Sequence, residues 1–218
     1  MITILQHGVH EPAGTIEECL VDRNEPFRIF RLYEGDALQA DPPDRLIVLG
    51  GQMSANDERM YPFLAPEKAL VRKAIARDVT VLGICLGAQM IAAACGKKVC
   101  AGKKELGWRT IQGYNASGHR FFPDNFEVFH WHKETFDLPD GARPLAEGTA
   151  VKNQVFLFGH TLGVQFHPEV TEAVIALWAK DLGNHERLAI MKDIATKTDC
   201  NRILCDAITN AFLAGWKR

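Results

Sequence analysis

The chain lacks the features that mark several large functional classes. Its 218 residues carry 25 Lys and Arg against 27 Asp and Glu, a formal net charge of −2. No basic block stands out, which argues against nonspecific nucleic-acid binding. The most apolar stretch, Val81 to Cys95, is too short to span a bilayer and is interrupted by Gln89 and two glycines. Met1 to His7 lacks the basic start, long apolar region and small-residue cleavage site of a secretory signal. A soluble, cytoplasmic protein without a membrane partner is therefore expected. The cysteines, Cys19, Cys85, Cys95, Cys100, Cys200 and Cys205, have no C-x-x-C spacing, so a close-paired zinc site is not signalled. His130 and His132 are the other metal candidates, but no third ligand is suggested beside them. Neither a metal nor another cofactor is expected. A P-loop is missing too, which excludes that route to ATP chemistry. Without linkers, repeats or low-complexity segments, residues 1–218 read as one domain.

What is present is ordinary globular composition, 47% hydrophobic and 24% charged, and an alternation of strand and helix signals. Ile2 to Gln6 reads as a buried strand, Thr15 to Val21 as a short helix, and Phe27 to Tyr33 as an alternating strand. Leu46 to Leu49 is a continuous apolar run ending at Gly50-Gly51, which suits a central parallel strand. Pro66 opens a helix whose face is Leu70, Val71, Ala74 and Ile75. Val79 to Ile84 is the next strand. This order predicts a parallel α/β sheet covered on both faces. Between Val99 and Phe158, the runs Trp108 to Tyr114, Phe126 to His130 and Val155 to Phe158 could extend that sheet or form an antiparallel flap. Leu162 to His167 is again a strand. Thr171 is placed to cap a helix carrying Val174, Leu177 and Trp178. Ile203, Leu204, Ala207, Ile208, Ala211 and Phe212 repeat at helical spacing and predict a final amphipathic helix.

Gly83-Ile84-Cys85-Leu86-Gly87 lies between the strand ending at Ile84 and a run of helix formers from Ala88. Glycine, nucleophile and glycine between strand and helix describe a nucleophile elbow. The helix N-terminus places partial positive charge on a thiol, and the thiolate is the attacking species. A cysteine before an alanine-rich helix is more often inert core, so the elbow needs support. His167-Pro168-Glu169 supplies it. Residues two apart in extended backbone share a side, and the proline biases its predecessor to extended geometry. A carboxylate can then stand behind an imidazole, the base and orienting acid that a nucleophilic thiol requires. Gly50-Gly51 offers backbone N–H groups to a developing oxyanion, with the Leu86 N–H as a second donor. All three segments fall at the carboxyl ends of strands, where open α/β sheets carry their sites.

Gly50-Gly51, Gly83 to Gln89 and Gln165 to Glu169 resemble the three signature blocks of class I (triad) glutamine amidotransferases. Within that family the chain is similar to free-standing proteins related to the amidotransferase domain of GMP synthase. Met53 to Asp57, Tyr61-Pro62, Glu105 to Trp108 and Trp131 to Phe136 carry the same likeness. It covers about residues 1–180, the C-terminal helices occupying about 171–218. The resemblance implies a flavodoxin-like open, mostly parallel sheet with helices on both faces. It implies that Cys85 attacks the side-chain amide of glutamine, that His167 and Glu169 complete the triad, and that Gly51 and Leu86 form the oxyanion hole. Gln89, His132 and Glu134 fall where the family contacts its substrate. Two departures stand out. Gln52 follows Gly50-Gly51 where proline is usual, which implies a more mobile loop. Trp131-His132-Lys133-Glu134 replaces Ser-His-x-Asp, which bears on the identity of the γ-glutamyl substrate.

Three functions compete on this reading. An amidotransferase subunit would release ammonia for an acceptor on a synthetase partner chain. A self-sufficient γ-glutamyl hydrolase or peptidase would use the same residues without channelling ammonia. A binding protein with this fold would do neither, and the complete Cys85, His167 and Glu169 set argues against it. A cysteine-elbow esterase is disfavoured, because α/β-hydrolases place the acid before the histidine. Oligomeric state is not encoded in any motif.

Overall fold

The computed structural model describes residues 1–114 and 122–216. The first half alternates as expected: β1 (Ile2–Gln6), α1 (Thr15–Asp22), β2 (Phe27–Arg31), β3 (Arg45–Val48), α2 (Leu64–Ala76), β4 (Thr80–Ile84) and α3 (Leu86–Ala94). Two long strands follow, β5 (Val99–Gly113) and β6 (Asn125–Phe136), then β7 (Arg143–Glu147), β8 (Asn153–Phe158) and β9 (Thr161–Val164). The chain closes with α4 (Glu172–Trp178), α5 (Asn184–Met191) and α6 (Ile194–Leu213).

The strands form one nine-stranded sheet in the order β2-β1-β3-β4-β9-β8-β7-β5-β6. From β2 to β9 neighbours are parallel, and from β9 to β6 they are antiparallel. The middle of the chain therefore extends the sheet, which is mixed rather than mostly parallel. The opening order β2-β1-β3-β4 is that of flavodoxin-like folds, with its topological switch between β1 and β3. The loops after β1, β3, β4 and β9 emerge together at the carboxyl edge of the parallel half.

Side-chain alternation builds the two layers. Ile2, Ile4, Ile47, Leu82 and Ile84 pack under α1 and α6. Leu5, Leu46, Val48 and Val81 face α2 and α3 on the other side. Because both faces are covered, β1 and β4 are buried at every residue, which is why apolar residues dominate them on both faces. A third cluster, Trp108, Phe129, Val170, Ile175 and Ile190, joins the β5–β6 hairpin to α4 and α5. No helix among the described residues is long and apolar enough to cross a membrane.

The final helix is rotated relative to its expected face. Cys205, Ile208 and Phe212 are buried with Thr198, Asn201 and Thr209, whereas Ile203 is 72% exposed. Polar residues hold part of the inward stripe, so hydrophobic spacing alone points to the wrong centre. Ile208→Ala is expected to cost about 2–5 kcal/mol by cavity formation, and Ile203→Ala to stay within about 0.5 kcal/mol of wild type. Urea unfolding of the two variants distinguishes the faces.

Candidate active site

β4 delivers Cys85 to the carboxyl edge of the sheet, where its N–H donates to Val164 O at 2.8 Å. Its φ is +51°, a region that costs a non-glycine residue about 1–3 kcal/mol. The flanking glycines are required by close approach. A Cβ on Gly87 would lie 2.0 Å from Val48 O, and one on Gly83 would lie 2.4 Å from Ile91 Cδ1. α3 thus sits directly on β3, with Cys85 as its N-cap. The sulfur is 3.6 Å from Gln165 Nε2 and 4.0 Å from Trp131 O.

His167 and Glu169 meet as the tripeptide suggests, although β9 ends at Val164 and the segment bends instead of continuing extended. His167 Nδ1 lies 2.7 Å from Glu169 Oε1, and both side chains are buried. Nδ1–H donates to the carboxylate, leaving Nε2 for a thiol proton. Burial opposes charge on the ring, but the Glu169 carboxylate and the Cys85 sulfur together hold the His167 pKa well above the usual imidazole value. The bend is fastened from several elements. His167 N–H donates to Phe129 O at 2.8 Å, and Thr15 N–H to Glu169 O at 2.9 Å. From α6, Asn201 Nδ2 donates to His167 O at 3.1 Å and Pro168 O at 3.0 Å. The Trp178 ring stands edge-on to His167 at 5.0 Å, its Nε1–H bonded to His10 O.

A cavity of about 650 Å³ opens over these groups. Gly51, Cys85, Gln89, His132, Glu134 and His167 line it; Glu169 and Leu86 lie behind its wall, both buried. Gln89 Nε2 is 3.3 Å from Gln165 Oε1, so the two amides form a chain that ends at the sulfur. Gln52, expected to leave its loop mobile, donates to Glu11 Oε1 at 2.8 Å and ties the loop to the segment after β1. Trp131 is half-buried against Phe129 and Trp178.

His132 is turned inward. Its Nδ1 is 3.1 Å from Glu134 O, and its Nε2 is 3.1 Å from Glu105 Oε2. His130 Nδ1 lies 3.3 Å from His132 Nε2 and 3.7 Å from Glu105 Oε2. Glu105 supplies the third potential ligand that the sequence did not suggest. It stands directly opposite His132 in the β5–β6 register. Among the described residues these three could hold a cation, their donor atoms lying within 4.8 Å of one another. Hydrogen bonds account for the same contacts, since Glu105 Oε2 accepts from His132 and, at 2.8 Å, from Gln154 Nε2. Burial pushes the His130 pKa down to about 3, so this ring is neutral.

The family profile described as glutamine amidotransferase class-I matches residues 13–175. This chain belongs to the class I glutamine amidotransferase family. It is 30% identical to the glutamine amidotransferase-like protein YfeJ of Salmonella typhimurium, over 87% of this chain and 85% of that one. It is 32% identical to a glutamine-hydrolyzing GMP synthase of Thermomicrobium roseum, over 63% of this chain but 26% of that protein. Among solved structures, a glutamine amido transferase from Methylobacillus flagellatus superposes with a TM-score of 0.91 at 25% identity, covering 100% of this chain and 95% of that one. A glutamine amidotransferase from Thermotoga maritima gives 0.87 at 28% identity, covering 97% of each chain.

The family match stops before α6, so the part of this amidotransferase that carries Asn201 lies outside it. Asn201, Gln165 and Trp178 were not recognised from sequence as site residues. Gln165 is the first residue of the histidine block and was open to such a reading. Asn201 sits in a helix where only hydrophobic spacing was informative. Asn201→Ala is expected to cost about 1–3 kcal/mol, because two buried carbonyls lose their donor; urea unfolding measures it. A second expectation concerns pH. A raised folded-state pKa on His167 contributes stability that is complete below the unfolded value of about 6.5 and is lost as pH rises through the folded value. Glu169→Gln removes a principal cause of the shift. The melting-temperature gap between wild type and Glu169→Gln is therefore expected to be larger at mildly acidic than at alkaline pH.

Proposed function

We propose that the chain hydrolyses the side-chain amide of glutamine, or of a related γ-glutamyl compound, through a Cys85 thioester. The observation that carries this reading is the 2.7 Å His167–Glu169 contact beside a positive-φ Cys85 that lines the cavity. His167 Nε2 takes the thiol proton as Sγ attacks the amide carbon. The Gly51 and Leu86 N–H groups receive the oxyanion; neither makes a hydrogen bond among the described residues. The tetrahedral intermediate collapses when ammonia leaves with the proton from His167. Water, deprotonated by the same nitrogen, attacks the thioester, and a second collapse releases the γ-carboxylate and returns the thiol. Glu169 holds the Nδ1–H tautomer throughout and offsets the charge of the imidazolium.

The ammonia would be used by a synthetase partner chain. The GMP synthase of T. roseum is described as glutamine-hydrolyzing, and the present chain spans about a quarter of it. The self-sufficient hydrolase reading has its own support. A cavity of this size is in the range of about 300–1,000 Å³ that holds ligands larger than one amino acid. Its lining also includes Lys104, Trp131 and Trp178, groups suited to a substituent beyond the γ-amide.

Ammonia release from glutamine and from a panel of γ-glutamyl amides and peptides separates the two, with and without cell extract. Stimulation by extract supports the amidotransferase subunit; γ-glutamyl peptides turned over faster than glutamine support the hydrolase. Cys85→Ser is expected to lower kcat by about 10⁴-fold or more on every substrate. Activity retained in that variant would remove the reaction from this site.

A further inference from the structure

The Gly50-Gly51 turn is gripped by a pair of residues that the triad does not use. His7 follows β1 and Glu67 lies on α2, and both side chains are fully buried. His7 Nδ1 is 2.9 Å from Gly50 O, and His7 Nε2 is 2.8 Å from Glu67 Oε1. A carbonyl oxygen only accepts, so Nδ1 carries a proton and donates it. Nε2 then shares a second proton with the carboxylate. Burial opposes charge on His7, yet Glu67 and the Gly50 carbonyl leave its pKa above the ordinary imidazole value. A buried pair of this kind adds little stability compared with apolar residues of the same volume; what distinguishes this one is the backbone carbonyl at its other end.

Gly50 O and Gly51 N–H belong to the same peptide unit. No peptide bond among the described residues is cis, and across a trans peptide the C=O and N–H point in opposite directions. Anchoring Gly50 O on His7 therefore aims Gly51 N–H away from His7. Gly51 borders the cavity together with Cys85. Two successive glycines impose little resistance of their own to rotation of the peptide between them. Gly50 packs directly against the proposed reacting groups: a Cβ there would lie 2.9 Å from His167 Cε1 and 3.7 Å from Cys85 Cβ.

We propose that His7, backed by Glu67, is a positioning residue that locks the Gly50–Gly51 peptide so that the Gly51 N–H faces the tetrahedral oxyanion. The proposal rests on the hydrolytic reading of the site and adds to it the device that keeps the oxyanion hole formed. His7 touches neither the substrate nor the nucleophile in this role. It acts through one peptide plane.

Two paired substitutions separate positioning from mere packing. An asparagine amide nitrogen occupies the place of His Nδ1, and a glutamine amide nitrogen that of Nε2. Combining each with Glu67→Gln removes the buried charge from both. His7→Asn/Glu67→Gln keeps a donor for Gly50 O; His7→Gln/Glu67→Gln keeps the contact to residue 67 and loses that donor. The asparagine pair is expected within about tenfold of wild-type kcat and the glutamine pair about 10²–10³-fold below it, with KM within about twofold in both. Alkylation of Cys85 by iodoacetamide passes through no oxyanion and is expected at the wild-type rate in both. Equal losses of kcat in the two pairs, or a loss expressed in KM, overturn the proposal. Wild-type protein without amide turnover would instead overturn the hydrolytic reading. The lock is then decided by crystal structures of the two pairs. Gly50 O is expected in its wild-type position in the asparagine pair and rotated in the glutamine pair. An unrotated carbonyl in the glutamine pair contradicts it.

Discussion

Everything at this site depends on the contact of α3 with β3 through Gly87. With no Cβ at that position, the helix settles onto the Val48 carbonyl, and the chain turns from β4 into α3 within one residue. Cys85 absorbs the turn at φ +51°. That strain, about 1–3 kcal/mol, is small beside the burial that holds the helix down. Eight residues of α3 are buried, Met90 and Ile91 completely. The position of the sulfur is thus a consequence of core packing, and a bulkier residue at 83 or 87 would move it before changing anything else.

The other groups at this edge of the sheet are held from behind in the same spirit, each by a different part of the fold. α1 and α6 secure the His167 bend through Thr15 and Asn201. β1 and α2 secure the Gly50 carbonyl through His7 and Glu67. Gln52 fastens the next loop residue to Glu11. Loops at the carboxyl edge of a sheet are ordinarily its least constrained backbone. Here their carbonyls and side chains are taken up by neighbouring elements, and among the described residues the Gly51 and Leu86 N–H groups are left without an acceptor.

Legibility from sequence followed locality. The elbow could be read because glycine spacing reports close approach directly, and the Thr171 cap because its oxygen meets the N–H of Val174 only three residues on. β1, β3 and β4 were readable because burial on both faces leaves them dominated by apolar residues. Only the second half of β5 was, because Gly102-Lys103-Lys104 interrupts its hydrophobic pattern where the register shifts between Ala101 and Glu105. The Glu105–His132 pairing follows from that register and from nothing in either segment alone. His7 and Asn201 were missed for a related reason. Each acts on a backbone carbonyl more than 30 residues away, and a carbonyl leaves no signature in a sequence.

The central assignment is that Cys85 is the nucleophile toward a γ-glutamyl carbonyl. It is tested most directly by a glutamine analogue bearing a diazoketone in place of the side-chain amide, with the modified peptide identified by mass spectrometry. The expected result is one equivalent of label on Cys85, prevented by excess glutamine. Label carried instead by another cysteine, such as the half-buried Cys100, or label on Cys85 that glutamine does not prevent, would contradict it.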